Sequence, residues 1–171
     1  MAIGQMLAFA GMSEGLQVSY YPAYGPQMRG GSANCSVILS DSKIGSSIVS
    51  KPDYLIAMNE DGFLSYADKL SEKGQIYANS SLIPEDMKKP QVACHFIAAN
   101  AIAGEIGNPR AANMVMLGAF NAAVTRFKED TLYNAFVHVF GERRAHLFDI
   151  NKQAMEKGAE TVLKNSASIF A

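Results

Sequence analysis

The stretch Pro52-Asp53-Tyr54-Leu55-Ile56-Ala57-Met58-Asn59 contains the apolar run that indicates the fold class. The apolar residues 54–58 do not alternate with polar ones, which is typical of a strand covered on both faces of a parallel sheet. Asn59 follows directly and is a good N-cap residue for the next helix. A buried strand that leads into a capped helix is the repeating unit of an α/β fold.

The segments on both sides of this stretch continue the alternation of strands and helices. Further strands are predicted at 16–21, 33–39, 75–78 and 92–97, and further helices at 1–10, 98–106, 110–124, 132–139 and 144–163. The first helix and the strand after it are interpreted as half of a βαβ unit. The whole pattern predicts an α/β fold with a mainly parallel sheet flanked by helices, in a single domain of residues 1–171.

Several residues at helix ends carry local signals. Gly74 is predicted to be the C-cap glycine of the helix that follows Asn59. Asn108 and Pro109 predict the start of the next long helix, as N-cap and first helical residue. That helix is apolar nearly all round, so it is expected to be buried. Asn113 is the exception within it, and a buried amide needs hydrogen-bond partners.

Composition excludes several classes of function. The 171 residues include 15 basic and 16 acidic side chains, for a formal net charge of −1, so electrostatic capture of nucleic acid or of an anionic membrane is not expected. No stretch has the length of a membrane helix or the basic start of a signal peptide, which predicts a cytoplasmic protein. The charged share of 18% is below the usual ~25%, which indicates either extra buried surface in a complex or a large α/β core.

The cysteines and histidines are predicted to be structural. Cys35 and Cys94 are two reduced, buried thiols without the spacing of a metal motif, and an iron–sulfur cluster needs about four thiolates. His95 is expected to be a hydrogen-bonded core histidine within a strand. His138 and His146 have no carboxylate at ligand spacing, so no metal site is predicted.

One loop has residues suited to binding. The sequence Tyr24-Gly25-Pro26-Gln27-Met28-Arg29-Gly30-Gly31 lies between two predicted strands. Gly30 and Gly31 permit a close approach to backbone amides, and Arg29 supplies a forked cation for a phosphate, a carboxylate or an acidic side chain of a partner. The alternative is an ordinary turn whose Arg29 is solvated.

This loop, together with three other stretches, resembles one known family. Residues 1–12 resemble its first helix, 52–59 its Pro-Asp-(apolar)-Ala-x-Asn strand, and 107–119 its Gly-Asn-x-Arg-x-x-Asn-Met-x-x-Leu-Gly-Ala helix. The four stretches occur in the family's order and cover most of the chain. The chain is therefore identified as resembling the gamma subunit, or gamma domain, of the pyruvate, ketoisovalerate and 2-oxoglutarate:ferredoxin oxidoreductases.

The resemblance implies a Rossmann-like, three-layer fold and a place in a larger enzyme. In this family thiamine diphosphate and Mg²⁺ lie on alpha and beta subunits, and iron–sulfur clusters on a ferredoxin-like delta subunit. The complex converts a 2-oxoacid to an acyl-CoA and passes the electrons to ferredoxin. This chain would bind no cofactor or metal and supply no catalytic residue, although Tyr24, Arg29, Gly30 and Gly31 would help to shape the CoA site. The isolated chain would be inactive and would self-associate.

The chain departs from the family pattern at its start. It begins within the first helix, without the strand and glycine-rich turn that precede this helix in the family, and a late start, a truncation and a real loss of the strand are all open explanations. Nucleotide binding at that helix is not expected for the chain as given. The stretch 31–35 resembles the 2-oxoglutarate and ketoisovalerate branches more than the pyruvate branch. Two other hypotheses stay open: a stand-alone nucleotide- or CoA-binding α/β module, and an interaction domain without a ligand.

Overall fold

The computed structural model describes residues 1–24, 33–87 and 91–169. The helices are α1 (Ala2–Ser13), α2 (Glu60–Tyr66), α3 (Ala99–Glu105), α4 (Ala112–Phe120), α5 (Glu129–Phe140) and α6 (Phe148–Ile169). The strands are β1 (Gln17–Tyr24), β2 (Ala33–Ser40), β3 (Tyr54–Ala57), β4 (Gln75–Asn79) and β5 (Ala93–Ile97). The chain forms two compact units, one of residues 1–50 and 127–148 and the other of residues 51–126 and 149–171.

The first unit contains α1, the strands β1 and β2, and α5. β1 and β2 pair antiparallel in a two-stranded sheet, from Gln17 opposite Ser40 to Tyr24 opposite Ala33. Gly15, at φ +85°, ends the turn between α1 and β1. The strands were predicted at these positions, but the interpretation of α1 and β1 as half of a βαβ unit was wrong, because β1 pairs with its neighbour in an antiparallel hairpin.

The second unit contains the parallel sheet, in the order β3-β4-β5. Alternate residues point to opposite faces. On one face, Ala57, Ile76 and Ala78 form an apolar cluster with Phe63 of α2. On the other, Tyr77 packs edge-on against Phe120 of α4. Helices thus cover both faces, and the predicted α/β fold with a parallel sheet flanked by helices is confirmed.

Asn59 caps α2 as predicted, whereas Gly74 does not. The Asn59 side chain accepts a hydrogen bond from the Gly62 amide at 3.1 Å, so it is the N-cap of α2 as predicted. Gly74 is not a helix C-cap, because α2 ends at Tyr66 and a 3₁₀ turn continues only to Lys69. A Cβ on Gly74 would lie 2.8 Å from Leu70, so close packing is what favours glycine there.

The predicted helix 110–124 is divided into three parts. Pro109 begins a 3₁₀ turn, although the Asn108 side chain makes no capping hydrogen bond. α4 follows and is almost entirely buried, as expected, and a π-helical turn then spans Asn121–Thr125. Arg126, at φ 52°, ends this segment in the left-handed region. None of the helices within the described ranges is both long and apolar enough to span a bilayer.

Candidate functional site

The hairpin of the first unit carries the loop that was predicted to bind a ligand. Tyr24 is the last residue of β1, and its Cα partner is Ala33, the first residue of β2. The loop therefore starts and ends at two paired backbone positions. Arg29, Gly30 and Gly31 lie outside the described residues, as does the side chain of Tyr24. Their role in binding stays a prediction.

Helix α1 packs closely on this hairpin because two glycines face it. Gly4 and Gly11 are seven residues apart, which places them on the same side of the helix. A Cβ on Gly4 would overlap the Cys35 Sγ, and a Cβ on Gly11 would lie 2.5 Å from the Cδ2 of Leu39. A larger residue at either position would force these strand side chains to shift, which would loosen the packing of α1 on the strands that lead into and out of the loop.

The two cysteines do not have the environment of metal ligands. Cys35 lies in the first unit and Cys94 in the second, neither forms a disulfide, and both are half-buried, so the expectation of buried thiols was wrong. Burial raises the pKa of the Cys35 thiol. The residues that the structure describes include no cluster of three or more His, Cys, Asp or Glu side chains suited to a metal ion. Two separate thiols do not fit an iron–sulfur cluster.

The carboxyl edge of the parallel sheet is where α/β proteins usually bind ligands, and here Asn79 occupies it. Asn79 is the last residue of β4 and is fully buried. Its Nδ2 donates to the Met58 carbonyl at 3.1 Å and to the Asn100 Oδ1 at 2.8 Å. Its Oδ1 accepts from the Ala99 amide at 3.1 Å and from the Ser81 amide at 3.3 Å.

These four bonds use the full hydrogen-bonding capacity of the Asn79 amide. They tie the end of β4 to the segments that follow β3 and β5. Ser81 strengthens the same junction, since its Oγ accepts from the Asn100 and Ala101 amides at the start of α3. Asn79 is therefore a structural clamp across three strand ends and not a ligand-binding amide.

Sequence reasoning missed Asn79 and pointed instead to Asn113. Asn113 is only half-buried, and its Oδ1 accepts a local bond from the Met114 amide at 3.1 Å. The signal for Asn79 was its position, as a polar residue at the carboxyl end of a predicted strand with Ser80 and Ser81 behind it.

A second polar group lies on the α4 side of the sheet. Tyr77 donates from its hydroxyl to the Gln75 Oε1 at 3.2 Å, and the His95 Nε2 lies 3.3 Å from the same oxygen. The Tyr77 and His95 rings also stack, with centroids 4.8 Å apart. His95 thus has partners, as predicted, although it is half-buried rather than fully buried.

The protonation of this group follows from its burial. Burial raises the pKa of Tyr77 to about 12, with a smaller contribution from Tyr54. Burial also lowers the pKa of His95. Both side chains are therefore neutral at pH 7, and because Gln75 Oε1 can only accept, His95 carries its proton on Nε2. These contacts stabilise the sheet, and neither Tyr77 nor His95 is poised for acid–base chemistry.

The sequence is similar to subunits of 2-oxoacid-metabolising enzymes named VorA and KorC. It is 35% identical over 171 residues to the ketoisovalerate oxidoreductase subunit VorA of Methanothermobacter marburgensis, covering 99% of this chain and 35% of that relative. It is 30% identical over 144 residues to the 2-oxoglutarate synthase subunit KorC of Methanocaldococcus jannaschii, covering 78% of this chain and 77% of that one. The chain thus spans about a third of the length of the VorA relatives that it matches.

The fold agrees with these sequence relatives. The crystal structure of the gamma subunit of keto/oxoacid ferredoxin oxidoreductase from Geobacter sulfurreducens superposes with a TM-score of 0.74 at 26% identity, covering 95% of this chain and 90% of that one. The family described as pyruvate ferredoxin/flavodoxin oxidoreductase matches residues 1–161. Since this match includes nearly the whole sequence, the chain belongs to the pyruvate ferredoxin/flavodoxin oxidoreductase family.

Proposed function

We propose that this chain is the gamma subunit, or gamma domain, of a thiamine-diphosphate-dependent 2-oxoacid:ferredoxin oxidoreductase. The assembled enzyme decarboxylates a 2-oxoacid oxidatively, transfers the acyl group to CoA and passes two electrons to ferredoxin. The chain itself contributes structure and helps to shape the CoA site. It is inactive in isolation and works in the cytoplasm.

The observation that carries this proposal is the family match over residues 1–161. The fold agrees with it, because nearly the whole chain superposes on a gamma subunit of known structure. The described polar groups support a structural role. Asn79 is saturated by internal hydrogen bonds, and the Tyr77 and His95 side chains are neutral and engaged with Gln75. None of these groups is placed to act on a substrate.

The cofactors and partners of the proposal lie on other polypeptides. Thiamine diphosphate and Mg²⁺ belong to alpha and beta subunits, and the iron–sulfur clusters to a ferredoxin-like delta subunit. Within the described ranges, the side chains of this chain do not fit a cluster or a metal ion, which supports placing these groups on the other subunits. Its contribution to the reaction is to hold the assembly together.

The names of the relatives support a proposal for the substrate class. The two sequence relatives are named for ketoisovalerate and for 2-oxoglutarate, and both cover most of this chain. The 31–35 stretch resembles the same two branches. We therefore propose a branched-chain 2-oxoacid or 2-oxoglutarate, rather than pyruvate, as the substrate of the complex.

The loop at the end of the hairpin is the proposed contact with CoA. Arg29 supplies a forked cation for the phosphates of CoA, and Gly30 and Gly31 have no side chains that would block their backbone amides. Tyr24 adds an aromatic ring. The packing of α1 through Gly4 supports this proposal, because it holds the strands on either side of the loop.

An affinity pull-down of the tagged chain from its native host under anaerobic conditions tests the proposed function. We expect mass spectrometry to identify a thiamine-diphosphate subunit and a ferredoxin-like subunit in stoichiometric amounts. Recovery of the chain alone, as a stable monomer that binds CoA or a nucleotide, would instead support the stand-alone binding module.

A further inference from the structure

The hairpin of β1 and β2 has an unpaired outer edge on each side within the described residues, because its sheet contains these two strands alone. The chain that follows β2 returns to the β1 side, where residues 43–47 line a hollow of about 490 Å³ together with Gln17, Val18 and Ser19. Among the residues that the structure describes, no main-chain group of β2 forms a hydrogen bond to an element other than β1. The outer edge of β2 is therefore open.

Pro22 shows which main-chain groups of β2 point to this outer edge. A proline inside a strand has no N–H to donate, so its nitrogen faces away from the neighbouring strand. Pro22 lies opposite Cys35 in an unbroken register, so the two form a non-hydrogen-bonded pair whose N–H and C=O groups point outward. Because such pairs alternate along a strand, Cys35, Val37 and Leu39 all present their N–H and C=O groups to the outer edge of β2.

The two outer edges of the hairpin differ in how well they are protected. Natural sheets guard their edges with proline, charged side chains or bulges. β1 has Pro22 at its edge, whereas the eight residues of β2 include neither proline nor a charged side chain. The one-to-one register of β2 with β1 also excludes a bulge. β2 is therefore suited to pairing with a further strand.

A second copy of β2 matches this edge in its hydrogen bonds and in its side chains. When two copies lie antiparallel about a two-fold axis at Val37, Cys35 of one copy faces Leu39 of the other, and all the outward residues form hydrogen-bonded pairs. On the opposite face of the sheet, the polar Asn34 of one copy faces the polar Ser40 of the other. β2 is uncharged and the formal net charge of the chain is −1, so two copies repel each other only weakly.

We propose that the outer edge of β2 is the contact surface for a second copy of this chain. The two hairpins then form one continuous antiparallel sheet in the order β1-β2-β2-β1. The dimer is weak, because an edge-to-edge contact buries less area than the roughly 1,200–2,000 Å² of a standard interface. This inference goes beyond the proposed function and does not rest on it. It gives the predicted self-association of the isolated chain a defined place in the fold.

Sedimentation velocity of the full chain over a concentration series tests this contact. The variants change Asn34 and Ser40, which lie at opposite ends of β2 and face each other only across the two-fold axis. Asn34→Lys combined with Ser40→Lys places like charges opposite each other. Asn34→Lys combined with Ser40→Glu is the matched control, because it places opposite charges at the same positions, and Asn34→Glu combined with Ser40→Lys reverses this control. Circular dichroism verifies that each protein is folded.

We expect the wild-type chain to form a concentration-dependent dimer. The dissociation constant of the like-charge variant should exceed those of both opposite-charge variants by about tenfold or more, because each interface contains the charged pair twice. A wild-type chain that stays monomeric at millimolar concentration would overturn the proposal, and so would equal dissociation constants for the three variants. Either of these results would leave the proposed function standing, since the pull-down from the native host tests that function separately.

Discussion

Gly118 of α4 lies directly against the main-chain carbonyl of Met155 in α6. The contact is reciprocal, because Gly158 of α6 lies against the carbonyl of Val115 in α4. A Cβ on either glycine would overlap backbone atoms of the facing helix, which cannot move aside as a flexible side chain can. The two helices of the second unit therefore approach each other through glycine on both sides.

Replacement of either glycine should destabilise the chain. Gly118→Ala and Gly158→Ala each force the helix backbones apart, and we expect a loss of about 2 kcal/mol or more in the free energy of unfolding. Gly104→Ala is the control, since it lies in α3 and its added Cβ would meet no atom within 4 Å beyond its chain neighbours and the backbone of its own helix. It should be neutral or stabilising by up to about 1 kcal/mol. Urea denaturation followed by circular dichroism measures all three, and equal stability of the three variants would refute the helix contact.

Asn79 should be the most sensitive polar position of the sheet. Asn79→Ala removes four hydrogen bonds and leaves the Met58 carbonyl and the Ala99 amide without this partner. We expect a loss of about 2–4 kcal/mol in the free energy of unfolding, since buried groups left unsatisfied cost about 1–3 kcal/mol each. Asn100→Ala removes only one of these bonds, and water can take the place of its side chain because Asn100 is exposed, so it should cost about 1 kcal/mol or less. Similar costs for the two variants would contradict the clamp.

The environment of His95 makes stability depend on pH. Its pKa is lowered by burial in the folded protein, so the unfolded chain takes up a proton first as the pH falls. The contribution of neutral His95 to the free energy of unfolding is fully present above the ordinary histidine pKa of about 6.5. This contribution is lost as the pH falls through the lower pKa of the folded protein. His95→Phe cannot titrate and can still stack on Tyr77. Chemical denaturation at pH 7.5 and 5.0 should show a smaller loss of stability for this variant than for the wild type. His138 and His146 are present in both proteins, and equal losses would show that His95 does not contribute.

The sequence was most informative where local chemistry decides structure. The apolar run 54–58 predicted a parallel strand, and Asn59 predicted the cap of α2, because both signals lie within a few residues. The expectation that this strand is covered on both faces was wrong, because β3 is an end strand of the three-stranded sheet and Tyr54 is 43% exposed. The antiparallel pairing of β1 with β2 was missed, since it depends on which strand becomes the neighbour. The role of Gly118 in helix packing was also missed, because the helix that it contacts lies about forty residues further along the chain.

Of the candidate site, the sequence identified the loop residue but not the buried contacts of Asn79. Composition and spacing singled out Arg29 in the loop at the hairpin end, and this position lies outside the described residues. The clamp formed by Asn79 could not be identified from spacing, because its partners Met58, Ala99 and Asn100 are about twenty residues away on either side. Only the parallel order of the strands brings them to one edge.

The loop proposal makes its own kinetic prediction for the assembled complex. Arg29→Gln should raise the KM for CoA by about tenfold or more, since a hydrogen bond to a charged group contributes about 1.5–3 kcal/mol. The KM for the 2-oxoacid should not change. Lys73→Gln removes a positive charge from an exposed loop of the second unit and serves as the control. Steady-state assays with ferredoxin as acceptor measure both constants, and an unchanged KM for CoA in Arg29→Gln would exclude this role.

We propose that the chain is an essential, non-catalytic part of a 2-oxoacid:ferredoxin oxidoreductase. The most direct measurement is CoA-dependent reduction of ferredoxin by the complex reconstituted anaerobically with and without this chain, assayed with ketoisovalerate, 2-oxoglutarate and pyruvate. We predict no activity for the chain alone, and activity with ketoisovalerate or 2-oxoglutarate only when the chain is included. Full activity of the remaining subunits without it, or turnover by the isolated chain, would contradict the account.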